Sequence, residues 1–303
     1  MNSDVISEYT HAKKIFIVVS LKGGVAKSTT ASSIAYWLAS KRFNYRIGLW
    51  DMDITSPSIP KILKMQGMEL EFAPNGKLAA MQFNRNLSVM SVDFFLPSSD
   101  QPIVFDESKK KTHMIQFLKS VEFGECDIFV FDTPPTTSPE LLTILNLFPP
   151  KNISLVIVSQ PGDASSNAAK KSIKHLKATG LPISGIICTM NGHTCKNCGT
   201  YDPIFPNPVS IEDMAKKYGI PYLGDVELGT VIQHSLRPPV YEYKYFKKVL
   251  NNLVNNKPVK FKPMSTDIPL FKKAMIVKSM DRNLNKMLKK KKTRPVKVKK
   301  KRM

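Results

Sequence analysis

Ile15-Phe16-Ile17-Val18-Val19-Ser20-Leu21-Lys22-Gly23-Gly24-Val25-Ala26-Lys27-Ser28-Thr29 is the stretch on which the reading of this chain turns. Its first six residues are a β-branched, apolar run, as expected of a strand buried on both faces. A glycine pair follows, and Lys-Ser-Thr then opens a segment of helical composition over 27–42, with apolar positions at Ile34, Trp37 and Leu38. Strand, glycine turn, then Lys-Ser at a helix start is the arrangement that cradles phosphate. Glycines let backbone N–H groups turn toward phosphate oxygens, and the helix N-terminus adds partial positive charge. Lys27 would reach the β- and γ-phosphates of a nucleotide, and the Ser28 hydroxyl would ligate Mg²⁺. The competing reading is an ordinary strand–turn–helix connection. The general pattern has glycines where this chain has Leu21 and Ala26. A positive φ at Ala26 would cost on the order of 1 kcal/mol.

Outward from this loop, strand-like and helix-like segments alternate. Strands are expected at 46–50, 87–92, 127–131, 154–159 and 183–188, and helices at 108–121, 163–179 and 211–218. Such alternation predicts an α/β fold, a mostly parallel sheet with helices on both faces. Ligands then bind where strand C-termini meet helix N-termini. Acidic residues are expected at two such ends. Asp51 and Asp53 follow one strand, and Asp132 follows the apolar run Ile128–Phe131. Carboxylates there can bind Mg²⁺ or orient an attacking water, although a solvated acidic turn would read the same way.

The 303 residues carry a formal net charge of +21, unevenly distributed. Residues 257–303 hold 18 basic and two acidic residues, a net of +16. The chain therefore divides into an N-terminal tail (1–13), a near-neutral body (14–255) and a basic C-terminal extension (256–303). An amphipathic helix is expected over 268–288 within that extension. The extension suits contact with DNA, RNA or another polyanion, a nuclear-targeting patch, or an anionic lipid surface; a solubilising tail is the alternative. One aromatic after Phe261 argues against base stacking. No run of apolar residues is long enough for a transmembrane helix, and residues 1–14 lack a signal-peptide core. Four cysteines are too few for a disulfide scaffold, which points to a reducing, cytoplasmic setting.

Two of the four form Cys195-Lys196-Asn197-Cys198. Zinc and iron–sulfur sites usually need four ligands, and this chain has no second C-x-x-C. Two copies of the motif would complete four thiolates across a two-fold axis. A redox pair, a shared zinc site or a chance pair remain alternatives, with His193 as a further candidate ligand. Cys126 and Cys188 read as small apolar residues of the core.

KGGVAKST resembles the deviant phosphate loop of the MinD/ParA/Mrp superfamily of dimeric ATPases, whose hallmark is a second lysine, here Lys22. The resemblance implies ATP with Mg²⁺, held by Lys22, Gly23, Gly24, Val25, Ala26, Lys27, Ser28 and Thr29. It also implies a nucleotide-sandwich homodimer in which Lys22 reaches the partner's nucleotide, slow hydrolysis, a water-orienting Asp53, and Asp51 and Asp132 near Mg²⁺.

Residues 51–63, DMDITSPSIPKIL, and 185–199, GIICTMNGHTCKNCG, are similar to segments of the Mrp-type iron–sulfur carrier ATPases. That likeness covers about residues 14–255. It implies a cluster, [4Fe–4S] in that family, bridging Cys195 and Cys198 of two chains and delivered to apoproteins. Thr189 stands where relatives have an adenine-contacting Asn, and Asn191 is the substitute expected to meet the base. Asp132-Thr-Pro-Pro is closer to ParA and MinD. With the basic extension, it keeps open a rival reading, a partition or positioning ATPase bound to DNA.

Overall fold

A computed structural model describes residues 9, 11–20, 22–40, 43–95, 110–135, 141, 144–145, 147–148, 152–195, 197–205, 210–228 and 244–259. In chain order the elements are β1 (Lys14–Val19), α1 (Lys27–Leu38), β2 (Ile47–Asp51), α2 (Ile59–Leu63), β3 (Leu78–Ala79), β4 (Met81–Asn84) and β5 (Leu87–Ser91). Then come α3 (Lys110–Ser120), β6 (Val121–Glu122), β7 (Ile128–Asp132), β8 (Ile153–Ser159), α4 (Asp163–Thr179) and β9 (Ile183–Thr189). The last are β10 (Gly192–Thr194), β11 (Tyr201–Pro203), α5 (Ile211–Tyr218), β12 (Tyr222–Val226) and α6 (Lys244–Asn255).

Eight strands form one sheet in the order β12-β9-β8-β1-β7-β2-β5-β4. Every pairing is parallel except β4 with β5. The expected α/β architecture is the one found. Each expected strand is present within a residue or two of its limits, and α4 and α5 match their expected spans.

The strands read as unbroken apolar runs because both faces are covered. In β1, Ile15, Ile17 and Val19 enter one core cluster while Phe16 and Val18 enter the other. In β7, Phe129 and Phe131 divide from Ile128 and Val130 in the same way. Met114, Ile173, Leu176 and Met214 of α3, α4 and α5 pack on the first face. Ile34, Trp37, Phe246, Val249 and Leu250 of α1 and α6 pack on the second. Each such side chain taken out of water contributes about 2 kcal/mol.

Sequence reasoning passed over several elements. β12 contains Gly224 and Asp225, poor strand formers, and exists because it pairs with β9. α6 buries Phe246, Val249, Leu250 and Leu253, a helical spacing that was legible in the sequence. α1 stops at Leu38, not at residue 42, because the chain turns at Ser40 and Phe43 packs edge-on to Trp37. The segment read as an N-terminal tail is tied down at Tyr9, which is 1% exposed and donates to the Leu118 carbonyl at 2.9 Å. The expected helix over 268–288 and most of the basic extension lie outside the described residues. Among the described residues, no helix is long and apolar enough to cross a membrane.

Candidate functional site

The phosphate loop connects β1 to α1 at the carboxyl edge of the sheet. Its backbone takes positive φ at Gly24 (73°) and again at Ala26 (57°), so Ala26 sits in the left-handed conformation that an alanine adopts at a cost. Ala26 is the N-cap of α1 and caps it with no side chain; the first turn carries no acidic residue. The N–H groups of that turn are thus left to an anion, with the helix dipole behind them. A cleft of about 370 Å³ opens over the loop, lined by residues 22–29 together with Ser20, Asp53, Ser56, Ser58, Ile62 and Pro135. The eight loop residues expected to hold the nucleotide therefore line this cleft with Asp53, and the ninth, Asn191, does not.

Behind the loop lie the buried charges. Lys27, 7% exposed, places its ammonium 2.5 Å from Oδ1 of the fully buried Asp132. Oδ2 of Asp132 is buried without a hydrogen-bond partner among the described residues. An orphaned carboxylate oxygen of this kind is a site for a hard cation, and the Ser28 hydroxyl in the adjoining cleft adds a second oxygen. The donor set therefore fits Mg²⁺.

Asp51, expected near that metal, is committed to protein donors. Its Oδ2 accepts from the backbone N–H groups of Ser58 (2.9 Å) and Ile59 (3.1 Å) and from the Ser91 hydroxyl (3.2 Å). Oδ1 accepts from the N–H of Asp53 at 3.3 Å. Burial, reinforced by the charge of Asp132, pushes its pKa up to about 7. Asp53 accepts from the Thr55 hydroxyl at 3.0 Å and the Ser56 N–H at 3.3 Å. Burial raises its pKa too.

Lys22 donates to Ser165 Oγ at the start of α4, 2.8 Å away. Thr189 ends β9 fully buried, its hydroxyl 2.8 Å from the Val25 carbonyl oxygen and 3.0 Å from that of Ser159. Asn191 is not brought to the phosphate cleft. It donates to Asp225 at 2.8 Å and lines a separate cavity of about 720 Å³ beside β12 and α6. The turn after Thr189 carries the side chain away from the loop.

Cys195 and Cys198 occupy the turn of the antiparallel hairpin β10–β11. The Cys195 N–H donates to the Thr200 carbonyl and the Gly199 N–H to the Cys195 carbonyl, both at 2.9 Å. The Tyr201 ring lies against Gly192, where a Cβ would displace it. Cys198 is exposed, with its sulfur 3.3 Å from Thr200 Oγ1. Hydrogen bonds from the Thr200 hydroxyl and backbone hold its pKa down to about 7. Cys188 is buried, and burial raises its pKa. Burial likewise pushes the half-buried Cys126 up to about 12. Cys188 belongs to the core, and Cys126 packs partly buried against it. Among the described residues, no group of three or more His, Cys, Asp or Glu could hold a metal ion.

Three partners had no local signal in the sequence. Ser165 holds Lys22, and Asp225 and Glu227 anchor the hairpin. Glu227 accepts from the Thr194 hydroxyl at 2.8 Å and its N–H at 3.2 Å.

Known proteins resemble this chain in sequence and in fold. A model of the ParA family described as the NUBPL iron-transfer P-loop NTPase matches residues 11–245. The chain is 34% identical over 226 residues to the cytosolic Fe-S cluster assembly factor NUBP2 of Mus musculus, covering 74% of this chain and 81% of that protein. To the Gallus gallus NUBP2 it is 32% identical over 238 residues, with 77% and 86% covered. A nucleotide-binding protein from Archaeoglobus fulgidus, solved in complex with ADP, superposes with a TM-score of 0.66 at 25% identity, covering 80% of this chain and 96% of the other. MinD from Pyrococcus horikoshii, solved with Mg-ADP, shares the fold at a TM-score of 0.56 and 16% identity, with 79% and 94% covered. Matched over most of its length, the chain belongs to the iron-transfer branch of the ParA-type P-loop NTPase family.

Proposed function

We propose that this chain is an ATP-hydrolysing iron–sulfur cluster assembly factor that holds its cargo between two copies and passes it to apoproteins. The single observation that carries the reading is the hairpin turn. It presents two thiols, one exposed and with a lowered pKa, and no third metal-ligating side chain joins them among the described residues. Two thiols cannot complete a four-ligand site, so a second copy is asked to supply the other pair. Family membership and the names of the NUBP2 relatives support iron–sulfur cargo and a cytosolic setting.

Within that reading, the loop N–H groups and Lys27 bind the β- and γ-phosphates, and Asp53 orients the attacking water. Ser28 and Asp132 would hold Mg²⁺, which neutralises phosphate charge when bound. Lys22 would leave Ser165 and reach the nucleotide of the second copy. A cation supplied across the interface stabilises charge that develops during phosphoryl transfer. Asp51 acts one step back, holding the segment that carries Asp53 and Ser58 in place.

Anaerobic reconstitution with iron and sulfide tests the proposal, comparing wild type with Cys195→Ala/Cys198→Ala. About one cluster per two chains is expected, with visible absorption and dimer mass lost together in the double variant. A cluster retained undiminished by the double variant would refute it.

A further inference from the structure

The structure points to Thr189 as a positioning residue through which the state of the phosphate loop is communicated to the cysteine hairpin, an inference that rests on the functional reading above. Four observations carry it. First, the Thr189 hydroxyl lies between two carbonyl oxygens, that of Val25 in the loop and that of Ser159 at the end of β8. A hydroxyl has one proton to donate, so it favours one carbonyl or shares the proton between them. If nucleotide binding shifts the Val25 carbonyl, this donor must readjust within a site that is fully buried. Second, Met190, next in the chain, has φ 55°, a left-handed conformation that a non-glycine residue keeps only under constraint.

Third, Cys195 follows Thr189 by six residues, and the path between them is braced. Asn191 bonds to Asp225, and Thr194 bonds twice to Glu227. A displacement at Thr189 is thereby passed along the hairpin, where a slack loop would absorb it. Fourth, the outgoing flank also rests on loop-linked structure. Phe205, just beyond β11, packs over Gly162, where a Cβ would come within 3.2 Å of its ring. Gly162 is the N-cap of α4, the helix whose Ser165 receives Lys22. One flank of the cysteine turn therefore starts at a residue that touches the phosphate loop, and the other rests on the helix that receives Lys22.

Amide hydrogen exchange of residues 190–205 tests this in the apo-cluster chain, without nucleotide and at saturating Mg·ATP or Mg·ADP, with nucleotide occupancy measured separately. In wild type, exchange of the hairpin should change by about fivefold on nucleotide binding, the size that one neutral hydrogen bond can transmit. Thr189→Val should erase that response at full occupancy, and Thr189→Ser, which keeps the hydroxyl, should restore it. Phe205→Ala offers an independent cut at the other flank and should weaken the response. An unaltered response in Thr189→Val, or a wild-type hairpin indifferent to bound nucleotide, would overturn the coupling while leaving the carrier reading intact. Failure to bind nucleotide at all would overturn both. A cluster retained undiminished by Cys195→Ala/Cys198→Ala, with a responsive hairpin, would overturn only the carrier reading.

Discussion

Asp51 and Asp132 sit side by side on adjacent parallel strands, β2 and β7, each fully buried at the carboxyl edge of the sheet. Two carboxylates so placed repel one another when both are ionised, and the structure resolves this by giving them different neighbours. Asp132 takes the Lys27 ammonium. Asp51 takes the N–H groups at the start of α2, where a helix N-terminus favours negative charge. The pair thus joins the phosphate loop to the segment that carries Asp53.

This arrangement predicts a pH effect of definite sign. The folded-state pKa of Asp51 is raised to about 7, so the folded chain holds its proton more firmly than the unfolded chain does. Its contribution to stability is fully present below the unfolded value near 4 and is lost as pH rises through about 7. Asp51→Asn, which keeps an acceptor oxygen, should gain on wild type between about pH 5 and pH 8. Urea midpoints across that range check it, and a constant difference would refute the burial of an ionisable group there.

Lys27→Ala removes the cation from a buried pair and leaves Asp132 uncompensated. Stability should drop by on the order of 3 kcal/mol, and nucleotide hydrolysis by about 10²-fold or more. Denaturant unfolding and phosphate release measure the two separately. Double substitution of Lys27→Ala with Asp132→Ala should recover part of the stability and none of the hydrolysis.

Ala26 holds φ 57° without the freedom of glycine. Ala26→Gly should therefore stabilise the chain by about 0.5–1 kcal/mol, the relief of left-handed strain less the added entropy of the unfolded chain. Ala26→Val should destabilise it. Thermal or urea unfolding decides, and a loss of stability in Ala26→Gly would show that the strain is relieved by other means.

Thr200 lowers the pKa of Cys198 to about 7. Thr200→Val removes the hydroxyl and keeps the backbone bond, so it should move the pKa part of the way back toward the free-cysteine value of about 8.5 and slow alkylation of Cys198 at pH 7 by about threefold. Cys126 and Cys188, both raised by burial, should stay unreactive in the native chain. Mass mapping of the alkylated cysteines, run as a pH series, tests both statements.

What the sequence alone determined is what consecutive residues can encode. The phosphate loop is one continuous stretch whose glycines, lysine and serine act through neighbouring backbone groups. Unbroken apolar runs marked strands covered on both faces, and aspartates after those runs marked the working edge. The cysteine pair was equally legible, because its spacing is local. Tertiary structure alone decided which distant atoms meet. Thr189 reaches a carbonyl 164 residues away, and Lys22 a hydroxyl 143 residues away. Both contacts depend on the strand order β9-β8-β1, which no local period specifies. The pairing of β9 with β12 likewise places Asn191 at the cavity beside β12. A side chain's chemistry is written in the sequence, but its partner is set by the packing of strands that are remote along the chain.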